Sequence, residues 1–235
     1  MEHHYYFFNE ILAALGFEHF GQYPGHGIHY THVIYSWFVM IIFIIGAVLL
    51  ARGIKLLPEK GQNIMEIIIG GLEDFVVEIT GPEGRTFFPF IATIFLYVFT
   101  CNLIGLIPGF FSPTASLNTT LSLALSTFIL THIIGIKYHG VKYIKHFLGP
   151  VWPLAPIMLI IELIGHLARV MSLSVRLFGN IFGKEKILGI LFGLAGLYLA
   201  PLPILFLGIL VSFIQAVVFM LLATIYFAGA MEEAH

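Results

Sequence analysis

The chain has 235 residues, 59% of them apolar and only 10% charged, with a mean hydropathy of +0.97 and a formal net charge of −2. A soluble domain cannot hide so much apolar surface, a single cysteine excludes a disulfide scaffold, and 15% aromatic content excludes disorder. Near-neutral charge without a long basic cluster argues against nucleic acid as a partner, which leaves an all-α polytopic membrane protein.

In chain order, residues 1–32 form an outer segment that begins MEHHYYFFNE and lacks the basic start of a signal peptide. Its histidines His3, His4, His19, His26, His29 and His32 have no tight ligand spacing, so a solvated or weakly metal-binding segment is read there rather than a structural zinc site. Val33–Ala51 is the first span, closed by Arg52, Gly53 and Lys55. Residues 62–80 carry Ile64, Ile67, Ile68, Leu72, Phe75, Val76 and Ile79 at helical spacing with Glu66, Glu73, Asp74 and Glu78 between them. Acids make a crossing costly, so this is an amphipathic helix at the membrane surface or docked on protein.

Residues 87–136 contain no charged side chain and exceed one crossing. Pro108, Gly109 and Pro113 divide them into a helical hairpin of Phe87–Ile107 and Leu117–Ile136, with Cys101 as a packing residue. Residues 156–230 hold a helix pair, Pro156 to about Ile190 and Ile204–Ala230, with Pro201 and Pro203 marking the turn. The sum is about five crossings plus the surface helix, in a single membrane domain over residues 1–235.

Basic residues set the orientation. With the N-terminus outside, the inner side receives Arg52, Lys55, Lys60, Arg85, Lys137, Lys142 and Lys145, and the outer loops Gly109–Ser116 and Gly196–Pro203 receive none. The C-terminus is then cytoplasmic. No internal repeat is present, against an inverted-repeat transporter.

The remaining Arg and Lys residues, Arg169, Arg176, Lys184 and Lys186, all lie on the helix that starts at Pro156. At about 100° per residue, and taking Arg176 as zero, Glu162 falls near about +40°, Arg169 about +20°, Ser172 about −40° and Asn180 about +40°. These five polar residues share one stripe roughly 27 Å long, and Glu185 lies on the opposite side. Taken singly, Arg169, Lys184 and Lys186 read as snorkelling to interfaces and Ser172 as bonding its own backbone. Arg176 does not. It is mid-helix with no acid within a turn, so its guanidinium needs a partner from another helix or another subunit. On the last helix, Gln215 is read as interhelical glue or a channel-lining residue, facing the same way as Tyr226 to within about 20°.

The run Ser172-Leu173-Ser174-Val175-Arg176-Leu177-Phe178-Gly179-Asn180 closely resembles the signature of the subunit a (ATPase A chain) family of the F-type ATP synthases. Support comes from Asn102-Leu-Ile-Gly-Leu-Ile-Pro108-Gly109, Pro113-Thr-Ala115, Asn118-Thr119-Thr120-Leu121-Ser122 and the stretch from Gln215-Ala216 to Tyr226. From about Arg52 onward, order and spacing match.

The resemblance implies a non-catalytic stator whose two long tilted C-terminal helices pack against a rotating ring of c subunits. Two offset half-channels would carry protons to and from the ring carboxylates and so couple ion flow to ATP synthesis. It implies that Arg176 separates the channels, that Asn180, Glu185 and Gln215 line the outer path, and that Glu162, Arg169 and Ser172 line the inner one. Subunit b of the peripheral stalk, the F1 headpiece and membrane lipid follow as partners, in a bacterial inner membrane. Three positions depart from the family: Ser116 stands where many relatives have an acid, Gly208 where His or Glu is common, and Lys184 where a small residue precedes the Glu.

No nucleotide loop, nucleophile elbow or paired zinc motif is present, so no cofactor, metal or catalytic residue is expected. A secondary transporter with an anion-binding Arg would require broken helices or repeated halves, and a passive scaffold would not require Arg176. The charge sorting makes a direct prediction. A reporter fused after His235 reads as cytoplasmic and one in the loop at Ser112 as external; both on the same side would overturn the topology.

Overall fold

The structure, a computed structural model, describes residues 31–52, 60–107, 109–140, 143, 155–195 and 202–232. Among these the regular structure is entirely helical: α1 Thr31–Arg52, α2 Lys60–Thr80, α3 Phe88–Ile104, α4 Leu117–His139, α5 Ala155–Ala195 and α6 Leu202–Met231, with 3-10 turns at Pro82–Thr86 and Pro113–Ala115. The N-terminal histidines before His32, Lys55, Lys142, Lys145 and most of the turn between α5 and α6 lie outside the described residues.

Proline starts helices here. Pro89, Pro156 and Pro203 each fall in the first turn of α3, α5 and α6, where the missing N–H has no intrahelical acceptor to lose and the fixed φ suits the helix. This is why α6 begins at Leu202 rather than after Pro203. α1, α4, α5 and α6 are long and apolar enough to cross a membrane. α3, with 17 residues, covers roughly 25 Å and is extended by the turns at its ends. The protein is a multi-pass membrane protein. α5 has 41 residues, roughly 60 Å, about twice the ~30 Å hydrocarbon core, so a perpendicular crossing cannot hold it.

The chain divides into two compact units, and α3, α4, α5 and α6 contribute to both. The first comprises residues 1–59, 96–119 and 177–216. Its apolar centre is Tyr35, Val39, Cys101 and Ile104, with Phe38, Phe43, Tyr97, Phe110 and Phe111 around it. Cys101 is indeed buried packing. Tyr35 meets Phe110 edge-on at 5.9 Å and its Oη donates to the Gly109 carbonyl at 3.3 Å. Gly109 has φ +88°, a conformation L side chains rarely adopt.

The loop after α3 is fixed by a buried polar cluster. Thr114 Oγ1 donates to Asn102 Oδ1 at 2.6 Å, Ser112 Oγ donates to the Cys101 carbonyl at 2.8 Å, and the two hydroxyls lie 2.9 Å apart. Gly105 permits this approach, because a Cβ there would fall 2.5 Å from Ser112 Cβ. Ser112 is fully buried, so a topology reporter in this loop belongs at the exposed Ile107 or Gly109 instead.

The second unit comprises residues 60–95, 120–176 and 217–235. Phe87 and Phe90 pack on the buried Phe227, and Lys137 Nζ sits 5.8 Å over the Phe87 ring. Thr120 and Ser174 join α4 to α5 through hydroxyls 3.1 Å apart. The amphipathic α2 is held at its C-terminal half, where Val76 is buried and Glu73 pairs with Arg85 at 3.1 Å. Ile67, Ile68 and Ile69 in its N-terminal half are exposed, an apolar edge suited to a membrane interface.

Lipid offers no hydrogen bonds, so polar groups inside the spans must be satisfied within the protein. Thr93, Ser126, Thr127, Thr131 and Thr224 each donate to the carbonyl four residues back. Among the described residues, no buried side-chain N or O atom lacks a partner. Asn102 is the hub of the first unit's cluster, and Asn102→Ala should destabilise the purified complex by about 1–3 kcal/mol through the stranded Thr114 hydroxyl. Thermal unfolding in detergent reads this, and an unchanged Tm would show that the cluster is not structural.

Candidate functional site

The stripe residues of α5 fall into two groups, one in each unit. In the second unit, Glu162 Oε1 pairs with His166 Nε2 at 3.2 Å, one helical turn apart. The exposed Arg169 places its guanidinium 5.6 Å over the Tyr226 ring of α6, a cation–π contact. It lines a cleft with Thr127, Thr131, His166 and Tyr226. Ser172 Oγ accepts from Arg176 Nη2 at 3.3 Å. Ser172, expected to bond its own backbone, serves here as an acceptor for the guanidinium four residues on.

Arg176 itself is exposed, and among the described residues Ser172 is its only polar partner and no acid lies within ion-pair distance. Leu173 and Leu177 beside it are buried. The guanidinium thus projects from the open face of an apolar helix with no countercharge among the described residues.

The first unit holds the other group. Asn180 Nδ2 donates to Gln215 Oε1 at 2.7 Å, joining α5 to α6. Glu185 Oε1 accepts from the Ser112 backbone N–H at 3.3 Å. Lys184 does not snorkel. It is buried, and its ammonium donates to the Asn102 carbonyl at 3.1 Å and to Ser212 Oγ at 3.0 Å. With an apolar span around it, the nearest acceptors for three N–H donors are a carbonyl and a hydroxyl inside the unit, not water. Lys184 and Glu185 form no ion pair; each turns to its own partner on α3, on α6 or in the loop after α3.

Two of the sequence departures are one feature. A Cβ at Gly208 would fall 3.1 Å from Lys184 Cδ and 2.6 Å from Leu106 Cδ2. The Lys184 stem fills the space above Gly208, so a large side chain at 208 and a long one at 184 compete for the same volume. Gln215 and Tyr226, on the same helix, serve different partners: Asn180 in the first unit and Arg169 in the second.

Sequence reasoning missed a cluster beside Glu162. His132 on α4 and His166 on α5 have ring centroids 4.9 Å apart, His132 Nδ1 lies 2.8 Å from Tyr143 Oη, and Phe128 packs edge-on against both imidazoles. Burial, then the nearby Glu162 carboxylate, hold the Tyr143 phenol above its usual value, so it stays a neutral hydroxyl near pH 7. Spacing at i,i+4 from Glu162 was the available signal for His166. His132 and Tyr143 carried none, since only the fold brings them there. No group of His, Cys, Asp or Glu among the described residues is arranged to hold a metal ion.

Comparison with known proteins gives the family. The ATP synthase A chain family matches residues 33–228. The chain is 57% identical to ATP synthase subunit a of Desulfosudis oleivorans and 52% identical to that of Syntrophobacter fumaroxidans, over the whole of each chain. It is 53% identical to that of Geotalea daltonii over 97% of this chain and 96% of the relative. The chain belongs to the ATP synthase A chain family.

Proposed function

We propose that this chain is the non-catalytic stator subunit a of an F-type ATP synthase membrane sector, carrying protons through two offset half-channels to and from carboxylates on a rotating c ring. It acts as one membrane domain in a bacterial inner membrane, N-terminus outside and C-terminus cytoplasmic. Subunit b, the F1 headpiece through the stalks, and lipid are its other partners. The observation that carries this reading is Arg176: a permanent cation on an exposed helix face, near the buried Leu173 and Leu177, with no acid among the described residues to meet it. An anionic group on another subunit is the partner such a cation suits.

The division of residues supports the two-channel reading. Asn180, Glu185 and Gln215, assigned to the outer path, belong to the first unit; Glu162, Arg169 and Ser172, assigned to the inner path, belong to the second, of which Arg176 is the last residue on α5. A protonated ring carboxyl can face lipid and an ionised one cannot. At about 4 Å and an effective dielectric near ~20, a guanidinium stabilises a carboxylate by about 4 kcal/mol. That corresponds to roughly three pKa units before desolvation opposes it. Arg176 thereby releases the proton toward the inner path and holds the ionised site until the outer path returns one. Its charge also repels hydronium, which blocks direct flow between the channels.

Two measurements test the reading. Cysteines at positions 172, 176 and 180 should cross-link to the carboxylate-bearing ring helix, and cysteines at the buried 173 and 177 should do so weakly; equal yields from all five would overturn the docking. Arg176→Ala should abolish proton-driven ATP synthesis in reconstituted vesicles while the headpiece-stripped sector still conducts passively. Arg176→Lys should retain the barrier but couple poorly, because an ammonium lacks the planar fork. Near-normal synthesis by the Ala variant at matched assembly would remove Arg176 from the mechanism.

A further inference from the structure

The His132–His166 cluster is not explained by packing alone. Two imidazoles 4.9 Å apart share a small volume with Arg169, and among the described residues Glu162 is the acid paired with His166. Among the described residues, the titratable or charged groups around the pair are His132 from α4, Glu162, His166 and Arg169 from α5, Tyr226 from α6, and Tyr143. Arg169 is permanently cationic and Glu162 can balance one charge, so doubly protonated imidazoles would leave the cluster strongly cationic. The pair therefore holds at most one proton in excess of its two neutral rings. Phe128 fixes both rings by edge contacts at 4.3 and 5.7 Å, and His166 lines the cleft that Arg169 and Tyr226 share.

We propose that His166 and His132 form a two-imidazole relay on the inner proton path, passing protons between Glu162 and Tyr143. The inference rests on the half-channel reading above and adds residues to it. A protonated Glu162 gives its proton to His166 Nε2, leaving a carboxylate and an imidazolium. The imidazolium passes a proton to the His132 ring, directly or through one water, and returns to neutral. His132 Nδ1 passes a proton to the Tyr143 hydroxyl at 2.8 Å, which releases its own proton to water and so stays neutral. No oxidant or further reactant is required.

The test uses the assembled complex in inverted membrane vesicles, with the headpiece stripped and passive proton conductance followed under an imposed potential. The double variant His132→Gln/His166→Gln, at matched assembly, should conduct about tenfold less near pH ~8, where free protons are scarce, and differ little near pH ~6. His166→Ala should be restored by added imidazole and not by pyrazole, which has the same shape but little basicity. Normal conductance at high pH, or a pH-independent loss that imidazole fails to restore, overturns the relay. Arg176→Ala in parallel separates the two readings. If it uncouples synthesis while the histidine variants conduct normally, only the relay fails; if it leaves synthesis intact, the half-channel reading fails and the relay with it.

Discussion

A guanidinium on an apolar helix is the constraint around which the rest of this protein is arranged. Charge at membrane depth costs at least ~2.5 kcal/mol unless something compensates it. Among the described residues this chain supplies Arg176 with one serine hydroxyl and no acid. The helix face on which it sits is open, and the leucines on either side are buried. A face of this kind is stable only against a second surface that brings the countercharge, so assembly and mechanism share one physical origin in the proposed motor.

The other intramembrane polar groups obey the opposite rule, because they are satisfied internally. Lys184 shows how. Its ammonium is enclosed by the Asn102 carbonyl and Ser212 hydroxyl, and its stem occupies the volume that Gly208 leaves open. Asn102, Ser112 and Thr114 complete a network in which each buried donor meets an acceptor. That network also presents the Ser112 N–H to Glu185. The Glu185 carboxylate is thus oriented by the same loop that closes the first unit's core.

Helices and their order were legible in the sequence because lipid permits so few solutions. Long uncharged runs bounded by Arg, Lys, Gly and Pro leave only helices of near-bilayer length. The expected spans agree with α1, α3, α4, α5 and α6 to within a few residues at most ends, α5 reaching Ala195 beyond the expected Ile190. The stripe on α5 was equally readable, since a 3.6-residue period places Arg169, Ser172, Arg176 and Asn180 on one side whatever surrounds them. Arg176 stood out for a one-dimensional reason: no acid lies near it along the chain.

Which groups meet across helices was not readable, because a period specifies a face and not the neighbour that covers it. Lys184 shows this limit, since its neighbours in sequence suggest snorkelling and only the approach of Asn102 and Ser212 makes an internal site for its charge. His132 and His166 lie 34 positions apart on different helices, and only packing against Phe128 brings their rings together. The sequence by itself determined the membrane class, the helices, the charge sorting and the exposed arginine, all of which follow from local composition and helical period. Tertiary structure alone decided the hydrogen-bond partners, because a polar group in an apolar span takes whichever acceptor the packing of distant segments delivers.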